Sequence, residues 1–236
     1  MTLTADDILA RLSEMGAESY RKTMLKHGAH EPIYGTKIGD MKPIQKQIKK
    51  DYQLAKDLFA TGVYDAMYLA GLIADDAKMT PEDLQLWLDS AKSRPIASVT
   101  VAWVAAESPH GWTMGLKWID SGDEMAVCAG WSTLSGWVAL RPDSELDFSA
   151  LRRLITRVEK TIHEQSTEVK YQMNGFLISV GCYVVELTEE VLAAGDRIGK
   201  VDVQLIGDCG MHAINDMIEK VASRGKIGVK RKTVKC

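Results

Sequence analysis

Three apolar segments in the middle of the chain read Val99-Thr-Val-Ala-Trp-Val-Ala-Ala-Glu-Ser-Pro-His-Gly-Trp112, Gly115-Leu-Lys-Trp-Ile-Asp-Ser-Gly-Asp-Glu124 and Met125-Ala-Val-Cys-Ala-Gly-Trp-Ser-Thr-Leu-Ser-Gly-Trp137. A Pro-His-Gly break and a Ser-Gly-Asp break separate them, which is typical of consecutive helices joined by short turns. All six tryptophans of the chain lie between residues 87 and 137. Because apolar residues at helical spacing usually point inward, these tryptophans are predicted to form a core, with an aromatic-lined groove as the alternative.

Further helical segments extend to both sides of this region, and several carry clear start signals. Thr4, Thr80 and Thr188 are each followed by acidic residues, so all three are predicted to be N-caps. Helical pairs are predicted to open near residues 53, 80, 111, 148 and 188, and no period-two alternation indicates a strand. The sequence therefore predicts an all-α fold, an α-α superhelix or solenoid of HEAT-like helical repeats, with a single compact helical bundle as the alternative.

The composition is that of a globular protein with one sizeable core, since 46% of its 236 residues are hydrophobic. No linker is evident, and we predict a helical-repeat domain over residues 1–200 and a C-terminal helix and basic tail over residues 201–236 that pack on this domain or extend from it. The start lacks the basic and apolar regions of a signal peptide, and the longest apolar run is shorter than the ~20 residues that span a membrane. A cytoplasmic protein without membrane contact is expected.

The four cysteines stand at positions 128, 182, 209 and 236 and form no Cys-x-x-Cys pair. Free thiols in a reducing compartment are the ordinary interpretation of this spacing. Cys209 and His212 have the spacing of half a metal site, but no other ligand type nearby completes it. The sequence therefore predicts neither a metal site nor a cofactor.

The net charge of −3 is spread unevenly along the chain. Between residues 21 and 50 there are eight cations and two acids, and between residues 224 and 236 there are six cations and no acid. Such asymmetry can indicate a polyanionic partner, and the alternative is a solvated helix face together with a disordered basic tail.

Segments in three parts of the chain resemble, in order and spacing, those of one known family. They read Gly35-Thr-Lys-Ile-Gly-Asp-Met-Lys-Pro-Ile-Gln-Lys-Gln-Ile-Lys-Lys50, Gly62-Val-Tyr-Asp-Ala-Met-Tyr-Leu-Ala-Gly-Leu-Ile-Ala-Asp75, and Lys117-Trp-Ile-Asp-Ser121 followed by Ala129-Gly-Trp131. Over residues 15–190 the chain resembles the DNA alkylation repair proteins with HEAT-like repeats, which include glycosylases that remove alkylated purines. The resemblance implies an α-solenoid whose concave face grips duplex DNA.

The resemblance also implies where the family's site residues fall in this chain. The family's catalytic Trp and Asp align with Ile96 and Thr100, its Arg with Cys128 and its later aromatic residue with Phe176, so one position of four is kept. A carboxylate near the glycosidic bond stabilises the positive charge that develops on the sugar, and threonine carries no such charge. Glu107, at the end of the same helix, is the candidate for a displaced catalytic acid, and the alternative is a solvated residue at a helix end.

Duplex DNA, bound without sequence preference, is the partner that the resemblance and the charge pattern together imply. The candidate phosphate-binding residues are Lys42, Lys46, Lys49, Lys50, Arg152, Arg153, Arg157, Lys230, Arg231 and Lys232, and the last three belong to a tail whose glycines suit a flexible arm. The candidate groove aromatics are Trp103, Trp131 and Phe176. Two functions stay open: a DNA-binding repair protein with glycosylase activity towards alkylated purines, or a non-catalytic helical-repeat scaffold that binds protein or nucleic acid.

Overall fold

The computed structural model describes residues 3–203 and 210–235, and all regular structure within these residues is helical. The prediction of an all-α fold is thereby confirmed. The helices are α1 (Ala5–Glu14), α2 (Glu18–Lys26), α3 (Ile38–Ile48), α4 (Tyr52–Ala60), α5 (Tyr64–Ile73), α6 (Pro81–Ser90), α7 (Ala102–Glu107), α8 (Gly111–Ile119), α9 (Glu124–Leu140), α10 (Phe148–Thr161), α11 (Thr167–Tyr183), α12 (Thr188–Ile198) and α13 (Ile214–Ala222).

From α4 onward the helices form successive pairs in two rows. The even-numbered row contains α4, α6, α8, α10 and α12, and the odd-numbered row contains α3, α5, α7, α9, α11 and α13. Helices α5, α7, α9, α11 and α13 contact one another in that order, with the π-helical turn before α7 linking it to α5. The pairs open at residues 52, 81, 111, 148 and 188, as predicted, which confirms the arrangement of stacked helical pairs.

Local signals explain where several helices begin. The hydroxyls of Thr4 and Thr80 each accept a hydrogen bond from the backbone N–H three residues later. The carboxylate of the aspartate at that position in turn accepts a hydrogen bond from the threonine backbone N–H. Both form the predicted caps. Thr188 was also predicted to be an N-cap, and this is wrong: Leu187 occupies the cap position, and the Thr188 hydroxyl donates instead to Gly181 O at 2.9 Å.

The helix predicted over residues 96–107 is wound in two ways. Ile96–Val101 forms a π-helical turn, and α7 continues from it without a break. π-Turns are rare, and they often occur at functional sites. This one contains Ile96 and Thr100, the two positions that the sequence resemblance aligns with the family's catalytic Trp and Asp.

The core extends through the whole array as two adjoining clusters of buried side chains. Trp87 and Trp118 lie in the first cluster and Trp131 lies in the second, each at most 2% exposed. At the junction α8 and α9 approach closely, because a Cβ on Gly130 would lie 2.9 Å from Gly115 O. The tryptophan-rich segment is therefore mainly core, as predicted, although Trp103, Trp112 and Trp137 are only partly buried.

The C-terminal segment does not behave as the predicted flexible arm. Residues 224–235, which we call the strap, leave α13 and run back along the odd-numbered row in contact with it. Helix α13 itself packs on α11 and α12. The described parts of residues 201–236 thus lie against the repeats.

Candidate nucleic-acid interface

The positions that the sequence resemblance aligns with the family's catalytic residues are closed to solvent. Thr100 is fully buried, and its Oγ1 has no hydrogen-bond partner among the described residues. Its Cγ2 packs against Gly71, where an added Cβ would lie only 2.5 Å away. Cys128 is 1% exposed, and burial raises the pKa of its thiol to about 12, so it is neutral at physiological pH. Neither side chain presents a charge to a substrate.

The predicted aromatic groove is largely absent. Trp131 and Phe176 are 1% and 0% exposed and pack on each other with ring centroids 5.1 Å apart, so both belong to the core. Trp103 is partly buried and meets Tyr68 edge to face at 5.6 Å. The sequence pattern could not separate the two outcomes, because a groove aromatic and a core aromatic recur at the same helical spacing.

Glu107, the candidate catalytic acid, is engaged by the strap. Its Oε1 accepts a hydrogen bond from the backbone N–H of Val234 at 2.9 Å and another from the hydroxyl of Thr233. Val234 is 6% exposed and packs beside Gly136 of α9. The geometry therefore gives this carboxylate a structural partner that is distant in sequence.

The strap crosses the C-terminal ends of the odd-numbered helices one after another. The backbone N–H of Gly228 donates to Cys182 O of α11, and that of Arg231 donates to Ala139 O of α9, each at 2.8 Å. Lys230 Nζ donates to Val138 O at 2.9 Å. The last carbonyls of a helix have no partner within the helix and carry the negative end of its dipole, so N–H groups and cations are favourable there.

The strap meets the N-terminal basic segment at one buried carboxylate. Asp76 is 2% exposed and lies just beyond the end of α5. Its Oδ1 is 2.5 Å from Lys235 Nζ, and its Oδ2 is 3.1 Å from Lys50 Nζ. Partial burial lowers the pKa of Lys50, but the hydrogen bond and the charge of Asp76 outweigh it, and the pKa is raised overall. The two basic segments of the sequence are therefore neighbours in space.

The lysines of α3 stand on the surface next to this junction. Lys42, Lys46 and Lys49 are exposed and, with Gln45, line a shallow depression of about 440 Å³. Lys49 ends the helix with a φ of 64°, which turns the chain towards Lys50. The structure thus places the predicted lysines of this segment together.

The three predicted arginines lie elsewhere, on α10 of the even-numbered row. Arg152 is 3.0 Å from Glu190 and also pairs with Glu186, and Arg157 is 2.6 Å from Asp120. These ion pairs join α10 to its neighbours in the same row. Arg153 is exposed and has no ion pair among the described residues.

Of the predicted tail residues, Lys230 is used within the protein and two others face solvent. Lys230 Nζ lies 2.7 Å from Asp143 Oδ1, in addition to its bond to the end of α9. Arg231 and Lys232 have exposed side chains. Sequence reasoning missed Asp76, Asp143 and Val234, and the only signal was that the basic tail also contains apolar residues, Val234 among them.

Within residues 3–203 and 210–235, no cluster of His, Cys, Asp and Glu has the geometry of a metal site. Over the same residues, no helix has the length and apolar character needed to cross a membrane. Cys209 and Cys236 lie outside the described residues.

Comparisons with known proteins were consistent with the fold. One solved structure matches this chain with a TM-score of 0.91 and 35% sequence identity. The match covers 99% of this chain and 100% of the solved chain. That structure is described as a new family of proteins related to the HEAT-like repeat DNA glycosylases with affinity for branched DNA structures. An uncharacterized protein of Listeria innocua is 28% identical over 94% of this chain and 99% of its own length. One of Listeria monocytogenes is 27% identical over 95% and 100%, respectively.

A family model extends this result to the sequence. The model described as DNA alkylation repair enzyme matches residues 8–197, which is most of the chain. The solenoid of helical pairs, the order of its segments and this match agree with one another. The chain belongs to the DNA alkylation repair enzyme family and has the fold of the HEAT-like repeat DNA glycosylases.

Proposed function

We propose that this protein binds branched DNA through its phosphates and does not excise alkylated bases. The observation that carries the proposal is the combination of a closed catalytic position at Thr100 with a cluster of exposed lysines on α3. The affinity for branched DNA that is ascribed to the structurally similar protein supports the choice of partner.

The argument against excision is electrostatic. A glycosylase must stabilise a cationic sugar in the transition state, and loss of one well-placed charged group costs ~10²–10³ in rate. Thr100 supplies no charge, and Cys128 stands neutral and buried where the family has an arginine. Glu107 is the nearest acid along the helix, and its Oε1 already accepts two hydrogen bonds from the strap.

The argument for branched DNA is geometric. At a junction, phosphates from more than one arm lie close together, so a compact group of cations can contact more of them than on a single straight duplex. Lys42, Lys46 and Lys49 form such a group on one helix. Each phosphate that a lysine neutralises releases counterions, which makes the affinity depend on salt.

The test compares a labelled four-way junction with a linear duplex of the same arm sequence, by fluorescence anisotropy at several salt concentrations. We expect tighter binding to the junction, with log K falling against log salt with a slope of about −4 to −5 for four to six phosphates. The Lys42→Gln/Lys46→Gln/Lys49→Gln variant should weaken this binding.

Excision is assayed in parallel on DNA methylated by an alkylating agent, with an active alkylpurine glycosylase as the positive control. We expect no release of methylated purines by the wild type. Release that Glu107→Gln abolishes would overturn the proposal and identify Glu107 as the catalytic acid. Absence of binding to either DNA would leave the non-catalytic protein scaffold as the better interpretation.

A further inference from the structure

We propose that the strap converts an acidic edge of the solenoid into a phosphate-binding edge that continues the lysine cluster of α3. This inference rests on the proposed function, because it names the surface that the DNA contacts. The edge is formed by the C-terminal ends of α5, α7, α9 and α11, which the strap crosses.

Without the strap this edge would be negative. Asp76 follows α5, Glu107 ends α7, and Asp143 follows α9, so three successive helices each bring a carboxylate to the same edge. The negative ends of the helix dipoles add to these charges. Such an edge would repel a phosphate backbone.

The strap provides an ion-pair or hydrogen-bond partner for each of these three carboxylates. Lys235 pairs with Asp76, the Val234 N–H and the Thr233 hydroxyl bind Glu107, and Lys230 pairs with Asp143. Lys50 already offsets Asp76 at this edge, and Arg141 pairs with Glu145, so Glu107 and Asp143 are the carboxylates left uncompensated without the strap. The strap adds six cations and no acid, which changes the sign of the edge from negative to positive.

The register of the strap matches the spacing of the helices. The backbone N–H groups that bind the odd-numbered row belong to Gly228, Arg231 and Val234, and they reach α11, α9 and α7, respectively. Three extended residues span about 10 Å, which is close to the usual 8–10 Å between packed helix axes. Only the backbone N–H of Arg231 is used in this contact, so its side chain, like that of Lys232, stays exposed to solvent.

Two of the remaining cations point away from the protein. Arg231 and Lys232 are exposed and have no ion pair among the residues that the structure describes. Since Lys50 and Lys235 bind the same Asp76, the strap ends beside the C-terminus of α3, next to Lys49. The basic surface therefore runs from α3 along the edge to α11. Four helix spacings make this roughly 35 Å, which is about one turn of duplex.

The experiment uses the full chain and removes two charges at a time. Arg231→Gln/Lys232→Gln removes the outward charges and keeps the Arg231 backbone N–H on α9. Lys117→Gln/Lys160→Gln is the matched control, since the two residues are exposed on α8 and α10 of the other row and lack ion pairs among the described residues. Arg231→Lys/Lys232→Arg keeps the charge. Hydrogen exchange at the Val234 amide reports whether the strap stays docked.

We expect the strap variant to reduce the slope of log K against log salt for the four-way junction by about two and to weaken binding about tenfold at moderate salt. The Lys117/Lys160 control and the charge-keeping variant should bind as the wild type does. If the wild type binds the junction but the strap variant binds equally well, or if the Lys117/Lys160 control loses as much affinity, the inference is wrong while the proposed function stands. If the wild type binds no DNA, both are wrong.

Discussion

The substitution Asp76→Asn tests how strongly the strap is fastened at its end. Asparagine keeps the size of the side chain and one acceptor oxygen but removes the charge that Lys235 and Lys50 share. The Asp76 and Lys235 side chains are 2% and 8% exposed, whereas the Lys50 side chain is 58% exposed. The Lys235 pair is therefore the one that water screens least.

The response to Asp76→Asn depends on two competing free-energy costs, that of keeping Lys235 buried and that of lifting the end of the strap. Leaving Lys235 buried without its partner costs about 3–5 kcal/mol, and the loss of the exposed Lys50 pair adds at most about 1 kcal/mol. Lifting the end of the strap instead exposes Val234, at about 1.5 kcal/mol, and breaks the hydrogen bonds of Val234 and Thr233 to Glu107, at about 1.5 kcal/mol each. It also regains about 1–2 kcal/mol of entropy for each residue freed. Lifting is the cheaper response, so the strap end should open while the helices stay folded.

The assay is amide hydrogen exchange resolved to single residues. The backbone N–H groups of Val234, Arg231 and Gly228 report on three successive points of the strap. In Asp76→Asn we expect exchange at Val234 to accelerate at least ~10-fold, since 1.4 kcal/mol is a factor of ten, with little change at Gly228.

Asp143→Asn serves as the matched control. Its partner Lys230 keeps the hydrogen bond to Val138 O, and both side chains are more exposed than those of the Asp76 pair, so Val234 should change less. Unchanged exchange at Val234 in Asp76→Asn would refute the reasoning, and so would faster exchange throughout α5 and α9, which would mean that the core had opened instead.

Two further predictions concern buried polar groups. Thr100→Val should raise the free energy of unfolding by about 1 kcal/mol in urea titrations, because it removes a buried hydroxyl without a partner among the described residues. Thr133→Val should lower the free energy of unfolding, because it loses a hydrogen bond of 2.8 Å. The opposite order would show that the Thr100 hydroxyl is satisfied. For Asp83, burial raises the pKa, but hydrogen bonds from Lys56 and Tyr52, each 2.6 Å long, bring it below its usual value. The stability that ionised Asp83 contributes is present above the pKa of the unfolded state, about 3.9, and is lost as pH falls through the lower pKa of the folded state. The difference in melting temperature between the wild type and Asp83→Asn should therefore be widest near pH 7 and should narrow below about pH 4. A constant gap would contradict this.

Local chemistry made the helices predictable. The caps at Thr4 and Thr80 and the breaks near residues 111 and 148 are signals read within a few residues, and the structure contains them. Thr188 carries a similar signal, but packing against Gly181 draws its hydroxyl away, and the helix starts at Thr188 itself. Local signals therefore predict that a helix is present better than they predict the role of a single side chain at its end.

The candidate site was less predictable because its contacts are long-range. Glu107 looks like any acid at a helix end, and its partner lies 127 positions later in the chain. Arg152 and Arg157 look like phosphate ligands until their acidic partners on neighbouring helices are known. The spacing of Phe176 is the same for a core and a groove, so exposure could not be derived from it.

The route of the strap also has a consequence for the order in which the protein is built. Lys235 and Asp76 are 159 positions apart, and the strap follows in the chain every helix that it contacts. Helical pairs assemble through contacts with their neighbours, while contacts of such long range form late. During synthesis α5, α7 and α9 therefore emerge and pack with the carboxylates of Asp76, Glu107 and Asp143 still unmatched by the strap. The edge of the partly synthesised solenoid is therefore acidic, and its charge reverses only when the strap has been synthesised and has docked.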